Sequence, residues 1–568
     1  MRHKVTLGSV HKGSEAFIIA EHFANIEKSI LYIARDDREI YALQSKLFWL
    51  LPKADILIFR SWEQIPYDNV SPSREIQSER IKTLYKISVN KKKKIILSSV
   101  NSIIQRTVDQ SFIKKNYVTI FVNQKLNFNH FIQQLISLGY QRTSVVREKT
   151  DFAIRGSIVD IFIVDRKNPL RIDFFDNNIE SIYEFDRLTQ KRLLKIENEK
   201  IYIHPSSELL INDETITLFR KNFREIFSNY RLSQVYNSFS ELILPPGGEQ
   251  FLPFFLEKME TFFNFVNDCQ VIVNSQFNDL LENRIENIND FFKARKQLND
   301  NFYLKPDQLY LSSNETNHYL SKSDLIKFSE FTDEKSKKTN IKKIPNLSSI
   351  RKEIDFDFID KFFNIHSKLK TIIICCRSLG SLDRVHKIIY ENLNISLNHI
   401  KNFHEIKENI NFYITTLEID DAFELGKLIF LNEKSLFGYN FATKEKSIKN
   451  KNIFFEEINK LTKKSVLVHS DYGLCRFLDI KKIDINSSFH DCVELEFADN
   501  QKLFLPVENL NYITKYNNDE DHNVLLDKLG HSHWQKRKAK AKNKIKDAAK
   551  KLISIAAKRF QSKSYSIN

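Results

Sequence analysis

The sequence predicts a multidomain α/β protein, and three observations carry this prediction. The chain has 568 residues, more than one core supports, since domains usually span about 100–200 residues. Hydrophobic residues make up 42% of the chain, which is enough to form buried cores. Buried strand-like runs alternate with helical stretches near the N-terminus and again after residue 354, a pattern typical of parallel sheets covered by helices.

The N-terminal segment is predicted to be an α/β domain. The runs SILYIARD, ADILIFRS and KKIILSSV read as short buried strands. The stretches EAFIIAEHFANI and REIQSERIKTLYKI carry apolar residues at helical spacing. We therefore expect a parallel sheet here, with the loop GSVHKGSE ahead of the first helix.

That loop has the outline of a phosphate-binding loop without its chemistry. Gly8 and Gly13 match the two glycines of Gly-x-x-x-x-Gly-Lys-Ser/Thr. Ser14 stands where a lysine would reach the phosphates, and Glu15 stands where a hydroxyl would hold magnesium. Because a carboxylate repels phosphate, we predict a degenerate loop that does not hydrolyse ATP. A chance match of two glycines is the alternative.

A small α+β domain is predicted to follow, with strands GSIVDIFIV and LRIDFFDNNIESIYEFD around a turn at residues 176–178. Strand alternation places Arg171, Asp173 and Phe175 on one face and Ile172 with Phe174 on the other. An exposed phenylalanine beside an arginine is typical of an interface anchor. The alternative is that a neighbouring domain covers Phe175 while the arginines form structural salt bridges.

The rest of the chain divides by composition into further domains and linkers. The strands KTIIICC and NINFYITT predict a second α/β domain, and short period-two strands after residue 462 predict a small β-barrel of the SH3 or Tudor kind. The predicted segments are an α/β domain in two parts, 1–116 and 204–332, the small domain at 117–203, a linker at 333–353, the second α/β domain at 354–445, a linker at 446–461, the barrel at 462–517 and a basic helix at 529–560.

Charge and cysteine content narrow the classes of function. The net charge of +15 is spread over the surface, so we discount it as a sign of nucleic-acid binding except along the basic helix. The five cysteines have no metal-ligand spacing, so no metal site is expected. No apolar run approaches the ~18 residues of a membrane span, and we expect a soluble, cytoplasmic protein with no membrane partner.

Four ordered stretches together resemble the transcription-repair coupling factor (Mfd) family. They are SWEQIPYDNVSPSREIQSERIKTLY, AIRGSIVDIF with LRIDFFDNNIESIYEFD, HSDYGLCRF with KLFLPVENLNYITKY, and LGHSHWQKRKAKAKNKIKDAAKKLISIAAKRF. The resemblance implies a UvrB-like module that encloses the small domain, a further α/β domain, a polymerase-interacting barrel and a relay helix. The translocase motor of the family has no counterpart in this chain, so the chain is expected not to be an enzyme and to need no cofactor.

The resemblance also implies two binding sites. Arg155, Arg171 and Phe175 match positions through which the small domain of the family binds UvrA. The barrel of the family docks on the RNA polymerase β subunit, which singles out Leu478, Ile480 and Ile483. The alternative for these three residues is that they fill the barrel.

The expected function is that of a shortened coupling factor, which binds stalled RNA polymerase and links it to nucleotide excision repair. The alternatives are polymerase release with a motor supplied in trans, a basic DNA-binding protein unrelated to repair, and an eroded product with little activity. DNA is a further partner of the chain if the basic helix lies along its phosphates.

Overall fold

A computed structural model describes the chain in two units, Met1–Ala442 and Thr443–Asn568, which are treated separately below. The described residues are 4–296, 302–438, 465–515, 525–529, 534 and 537, without positions 69, 333, 335, 346, 348–353, 408–409, 470–471, 486–487 and 507–512. Strands and helices are numbered in chain order, β1–β26 and α1–α15.

A seven-stranded parallel sheet forms the centre of the first α/β region. Its strands are β1 (Lys4–Gly8), β2 (Ile30–Ala34), β3 (Asp55–Phe59), β4 (Lys94–Ser99), β13 (Gln270–Asn274), β14 (Leu325–Phe328) and β15 (Lys337–Lys338). They lie in the order β15-β1-β14-β13-β2-β4-β3, so distant parts of the chain complete one sheet. Every residue of β2 is buried, as expected for a parallel strand with both faces covered.

Helices precede and follow these strands as the sequence predicts. They are α1 (Glu15–Asn25), α2 (Asp37–Leu50), α3 (Arg74–Val89), α4 (Val100–Ile103), α5 (Gln110–Lys115), α7 (Asp213–Ile226), α8 (Gln234–Ser240), α9 (Phe262–Phe265), α10 (Phe277–Lys296), α11 (Pro306–Leu309) and α12 (Ser313–Ser321). The side chain of Asp36 caps α2 and that of Ser73 caps α3, each accepting a backbone N–H bond.

The small domain is inserted between the two halves of this sheet. Its elements are β5 (Val118–Ile120), α6 (Phe128–Ser137), β6 (Gln141–Arg142), β7 (Asp151–Arg155), β8 (Ile158–Ile161), β9 (Leu170–Phe175), β10 (Asn178–Phe185), β11 (Arg192–Ile196) and β12 (Ile201–Ile203). Strands β6 to β11 form one sheet in chain order, while β5 pairs with β12. The predicted hairpin is present, because Phe175 pairs with Asn178 across a tight turn.

The second α/β region has a mixed six-stranded sheet in the order β16-β20-β21-β17-β19-β18. Its elements are β16 (Ile341–Lys343), α13 (Phe356–His366), β17 (Thr371–Cys376), α14 (Leu379–Leu393), β18 (Asn398–His399), β19 (Phe412–Thr416), β20 (Phe423–Leu425), β21 (Leu428–Asn432) and α15 (Glu433–Phe437). The stretch 333–353 was expected to be only a linker, yet it supplies β15 to one sheet and β16 to the other. Both are short, mostly exposed edge strands, and their polar composition does not predict a strand.

One hydrophobic core joins the two α/β sheets. Side chains of α1 and α2, among them Phe17 and Trp49, pack with Tyr413, Phe423 and Phe430 of the second sheet. Inside this core the indole N–H of Trp49 donates to the hydroxyl of Thr415 at 2.9 Å. The two regions are therefore packed as one body, which their separate sequence patterns do not indicate.

The second unit contains a five-stranded antiparallel sheet in the order β25-β24-β23-β22-β26. Its strands are β22 (Val466–His469), β23 (Gly473–Ile485), β24 (Ser488–Glu496), β25 (Lys502–Pro506) and β26 (Ile513–Lys515). Among the described residues no pairing joins β25 to β26, so closure into a barrel stays a prediction. Most of the predicted basic helix at 529–560 lies outside the described residues, as does the predicted linker at 446–461.

Candidate binding surfaces and the phosphate-loop remnant

The loop that joins β1 to α1 stands where α/β folds bind phosphate, at the carboxyl end of a strand and the start of a helix. Gly13 has φ +96°, a conformation that favours glycine, and Ser14 precedes the helix without a side-chain cap. Gly8 ends β1, and Gly13, Ser14 and Glu15 lead into α1, so the four residues predicted to form a degenerate phosphate loop lie in this connection.

The polar groups of this loop already bond to one another. The N–H of Gly13 donates to a carboxylate oxygen of Glu15 at 2.7 Å, and the hydroxyl of Ser14 donates to the carbonyl of His11 at 2.6 Å. Burial raises the pKa of Glu15, with the ammonium of Lys46 acting in the opposite direction. The glutamate thus occupies a backbone donor that a phosphate would otherwise need.

In the small domain, one face of the six-stranded sheet β6–β11 carries the three residues predicted to bind UvrA. Asp173 pairs with Ile158, which pairs with Arg155, so Arg155 shares a face with Arg171 and Phe175. Phe175 is 68% exposed and Arg155 is exposed. In the described residues, the side chain of Phe175 is therefore not covered by a neighbouring domain, although Ala153 and Asp160 on the same face are buried.

Arg171 has a different environment from its two neighbours. Its guanidinium forms two bonds with the buried carboxylate of Asp160, at 2.8 and 2.9 Å, and lies over the ring of Phe185 at 4.6 Å. These hydrogen bonds raise the pKa of Arg171. Arg171 holds the sheet together, as the salt-bridge alternative suggested for the arginines, whereas Arg155 and Phe175 are accessible.

Sequence reasoning missed a fourth member of this face, Arg192. Its guanidinium forms an ion pair with Asp173 at 2.8 Å and lies over the ring of Tyr183 at 4.4 Å. The only sequence signal is a second turn after β10, which brings β11 beside it.

One edge of β23 changes its pairing after Phe477, whose N–H donates to the carbonyl of Ser465 at 2.9 Å. Strand β22 pairs with Gly473–Arg476 and begins at Val466, while β24 pairs with the other edge of β23 as far as Ile485. Within the described residues, the edge beyond Phe477 therefore has no strand partner. Leu478, Ile480 and Ile483 all lie on this segment.

A β-bulge determines on which face of the sheet Leu478, Ile480 and Ile483 lie. The register shifts between Phe477 and Asp479, so Leu478 is the extra residue. Ile480 consequently lies opposite the core residue Val493, although it is 44% exposed, and Ile483 lies opposite His490 on the other face. The bulge thus places Ile480 on the same face as Phe477, which a simple alternation along RFLDIKKIDI would not do.

None of these three residues lies in the described core of the sheet, which is formed by Leu467, Cys475, Phe477, Val493, Leu495, Phe497, Leu505 and Ile513. The alternative that all three fill a barrel interior therefore has no support in this core.

The described residues contain no group of three or more histidine, cysteine or acidic side chains placed to hold a metal ion. Across the same residues, no helix combines the length and the apolar character needed to cross a bilayer.

Two family comparisons match separate parts of the chain. The family described as the UvrB interaction domain matches residues 118–209, which contain the six-stranded sheet β6–β11 of the small domain. The family described as the CarD-like/TRCF RID domain matches residues 461–517, which cover the antiparallel sheet of the second unit.

Whole-chain comparisons find relatives named transcription-repair-coupling factor. The one from Rickettsia bellii (strain RML369-C) is 32% identical over 96% of this chain and 48% of its own length. Those from Haemophilus influenzae (strain ATCC 51907 / DSM 11121 / KW20 / Rd) and Escherichia coli (strain K12) are 26% and 25% identical over 99% and 97% of this chain, and 50% and 48% of their own lengths. The chain spans about half the length of these curated relatives. The resemblance predicted from the sequence is therefore confirmed: nearly the whole chain is similar to about half the length of each of these transcription-repair-coupling factors.

Proposed function

We propose that this chain acts in transcription-repair coupling, by binding RNA polymerase through the second unit and UvrA through the inserted small domain. The observation that carries the proposal is the pair of family matches, to the UvrB interaction domain at residues 118–209 and to the CarD-like/TRCF RID domain at residues 461–517. We further propose that both tasks are carried out in the cytoplasm.

The polymerase contact is proposed to be strand addition. An exposed strand edge offers unpaired backbone donors and acceptors, and nearby side chains then select the partner and the register. In the described part of the unit, β22 pairs with β23 only as far as Arg476, and Leu478 at the bulge, the half-exposed Ile480 and Ile483 on the opposite face follow. A strand of the polymerase β subunit would extend the sheet there.

Binding of the purified chain to core RNA polymerase tests this proposal. We expect Ile483→Arg and Ile480→Arg to weaken binding at least about tenfold, because a charged side chain in a desolvated interface is costly. The matched control is Lys342→Ala, which removes an exposed side chain of the other unit. Equal binding by wild type and both isoleucine variants would remove this surface from the proposal.

The UvrA contact is proposed to centre on Phe175, with Arg155 beside it. Exposed aromatic and arginine residues are the side chains that most often dominate protein interfaces. Arg171 and Asp160 act by holding β8 and β9 in register beneath them.

We expect Phe175→Ala to weaken UvrA binding by roughly 2 kcal/mol, about thirtyfold, without affecting polymerase binding. Pull-down with UvrA, followed by titration, measures the effect. Leu188→Ala is the matched control, since Leu188 is an exposed apolar residue in the turn after β10. If Leu188→Ala weakens binding as strongly as Phe175→Ala, the proposed centre of the surface is misplaced.

We propose no ATP hydrolysis at the Gly8–Glu15 loop, since Ser14 and Glu15 stand where a working site has its lysine and its hydroxyl, and the glutamate takes a backbone donor. Any ATP-driven step of coupling must come from another nucleotide site.

A further inference from the structure

We propose that the phosphate-loop remnant holds an anion supplied by the chain itself, the carboxylate of Asp420, and thereby latches the second α/β region to the first. This inference concerns a site between two sheets and does not depend on polymerase or UvrA binding.

The first argument is the close approach of the two loops. A Cβ atom added to Gly13 would lie 3.0 Å from the backbone nitrogen of Asp420 and 3.5 Å from one of its carboxylate oxygens. The 3.0 Å approach is tighter than most Cβ contacts, so the glycine allows the backbone of Asp420 to lie directly against the loop. The space beside the glycine is thus filled by the other region.

The second argument is charge. The ammonium of Lys46, on α2, lies 3.6 Å from a carboxylate oxygen of Asp420, and the lysine side chain is 8% exposed. A buried ammonium needs a partner, because an unpaired charge is strongly disfavoured away from water. The neighbouring carboxylate of Glu15 is also attracted to it. Lys46 therefore supplies the positive charge that the loop position Ser14 lacks, and Asp420 supplies the anion.

The third argument is that Asp420 is held in place from its own side. The side-chain amide of Asn432, at the end of β21, donates to the carbonyls of Ile419 and Asp420 at 3.1 and 2.8 Å. The preceding Leu417 and Ile419 are buried in the core shared with α1 and α2. The anion is thus presented by a loop that hydrogen bonds and buried side chains hold on its own side, as expected of a preorganised contact.

Hydrogen exchange of backbone amides in the full chain tests the latch. We expect Asp420→Ala and Asp420→Asn each to speed exchange in the Gly8–Glu15 loop roughly tenfold, because Lys46 loses its partner. Asp421→Ala is the matched control: its carboxylate is similarly exposed, and its ion pair with Lys343 stays within the second region. Exchange in β9 should stay unchanged in all variants.

Two results would overturn the proposal. One is wild-type exchange in Asp420→Asn, which keeps the volume of the side chain and removes only its charge. The other is an effect of Asp421→Ala as large as that of Asp420→Ala, since the loop would then respond to general loosening.

Discussion

At the scale of single residues, Glu15 shows how one side chain sets the hydrogen bonding and charge of a loop. Its carboxylate accepts the N–H of Gly13 and is largely removed from water, so burial raises its pKa above the ordinary 4.5. The ionised form is therefore disfavoured in the folded chain. Stability is lost as the pH rises from 4.5 through the raised pKa of the folded state.

This environment predicts a pH-dependent gain in stability for Glu15→Gln. Glutamine keeps an acceptor for Gly13 but has no charge to desolvate, so the variant should be more stable at pH 7 and no more stable below pH 4.5. Urea unfolding at the two pH values measures the difference. Glu21→Gln, on the exposed face of the same helix, is the control. A gain of equal size at both pH values would contradict the argument.

At the scale of elements, strand β9 separates a core residue from a surface residue at adjacent positions. Phe174 is 4% exposed and its ring lies 5.2 Å from that of Phe128 and 5.8 Å from that of Phe131, while Phe175 is 68% exposed. We expect Phe174→Ala to lower the free energy of unfolding by about 3–5 kcal/mol and Phe175→Ala by less than about 0.5 kcal/mol. Urea denaturation checks both, and similar losses would mean that the strand does not alternate as described.

Elements whose pattern is local could be predicted from the sequence, and those set by distant pairing could not. β2, β3, β4 and α1 follow from apolar runs and helical spacing, and the faces of β9 follow from its alternation. The bulge at Leu478 depends on how β24 pairs with β23, which a single strand does not reveal. The strands β15 and β16 form because each finds a sheet edge, although their own residues are mainly lysine.

At the scale of the whole molecule, the site at the Gly8–Glu15 loop is the clearest case of what sequence could not give. The sequence alone predicts that Ser14 and Glu15 replace the usual residues of a phosphate loop. It does not predict the contact with Asp420, which lies about 400 residues away and reaches the loop only because two sheets share a core. The same holds for Trp49 and Thr415, which are separated by 366 positions.

That pair predicts how firmly the two sheets are joined. Thr415→Val preserves shape but leaves the buried indole N–H of Trp49 without its acceptor, so we expect a loss of about 1–3 kcal/mol in unfolding free energy. The adjacent, exposed Thr416→Val should cost less than about 0.5 kcal/mol. Thermal or urea unfolding compares the two valine variants. Equal stability would mean that this bond contributes nothing to the shared core.

The strand order of the first sheet also bears on how the chain folds as it is made. β1 pairs with β14 and β15, so its partners leave the ribosome about 320 residues after it does. At roughly 5–20 residues per second, β1 waits roughly 16–64 s for them. Meanwhile the inserted small domain, whose six-stranded sheet is contiguous in sequence, can already fold. Strand β1 therefore waits unpaired while a whole domain of the same chain can complete its own sheet.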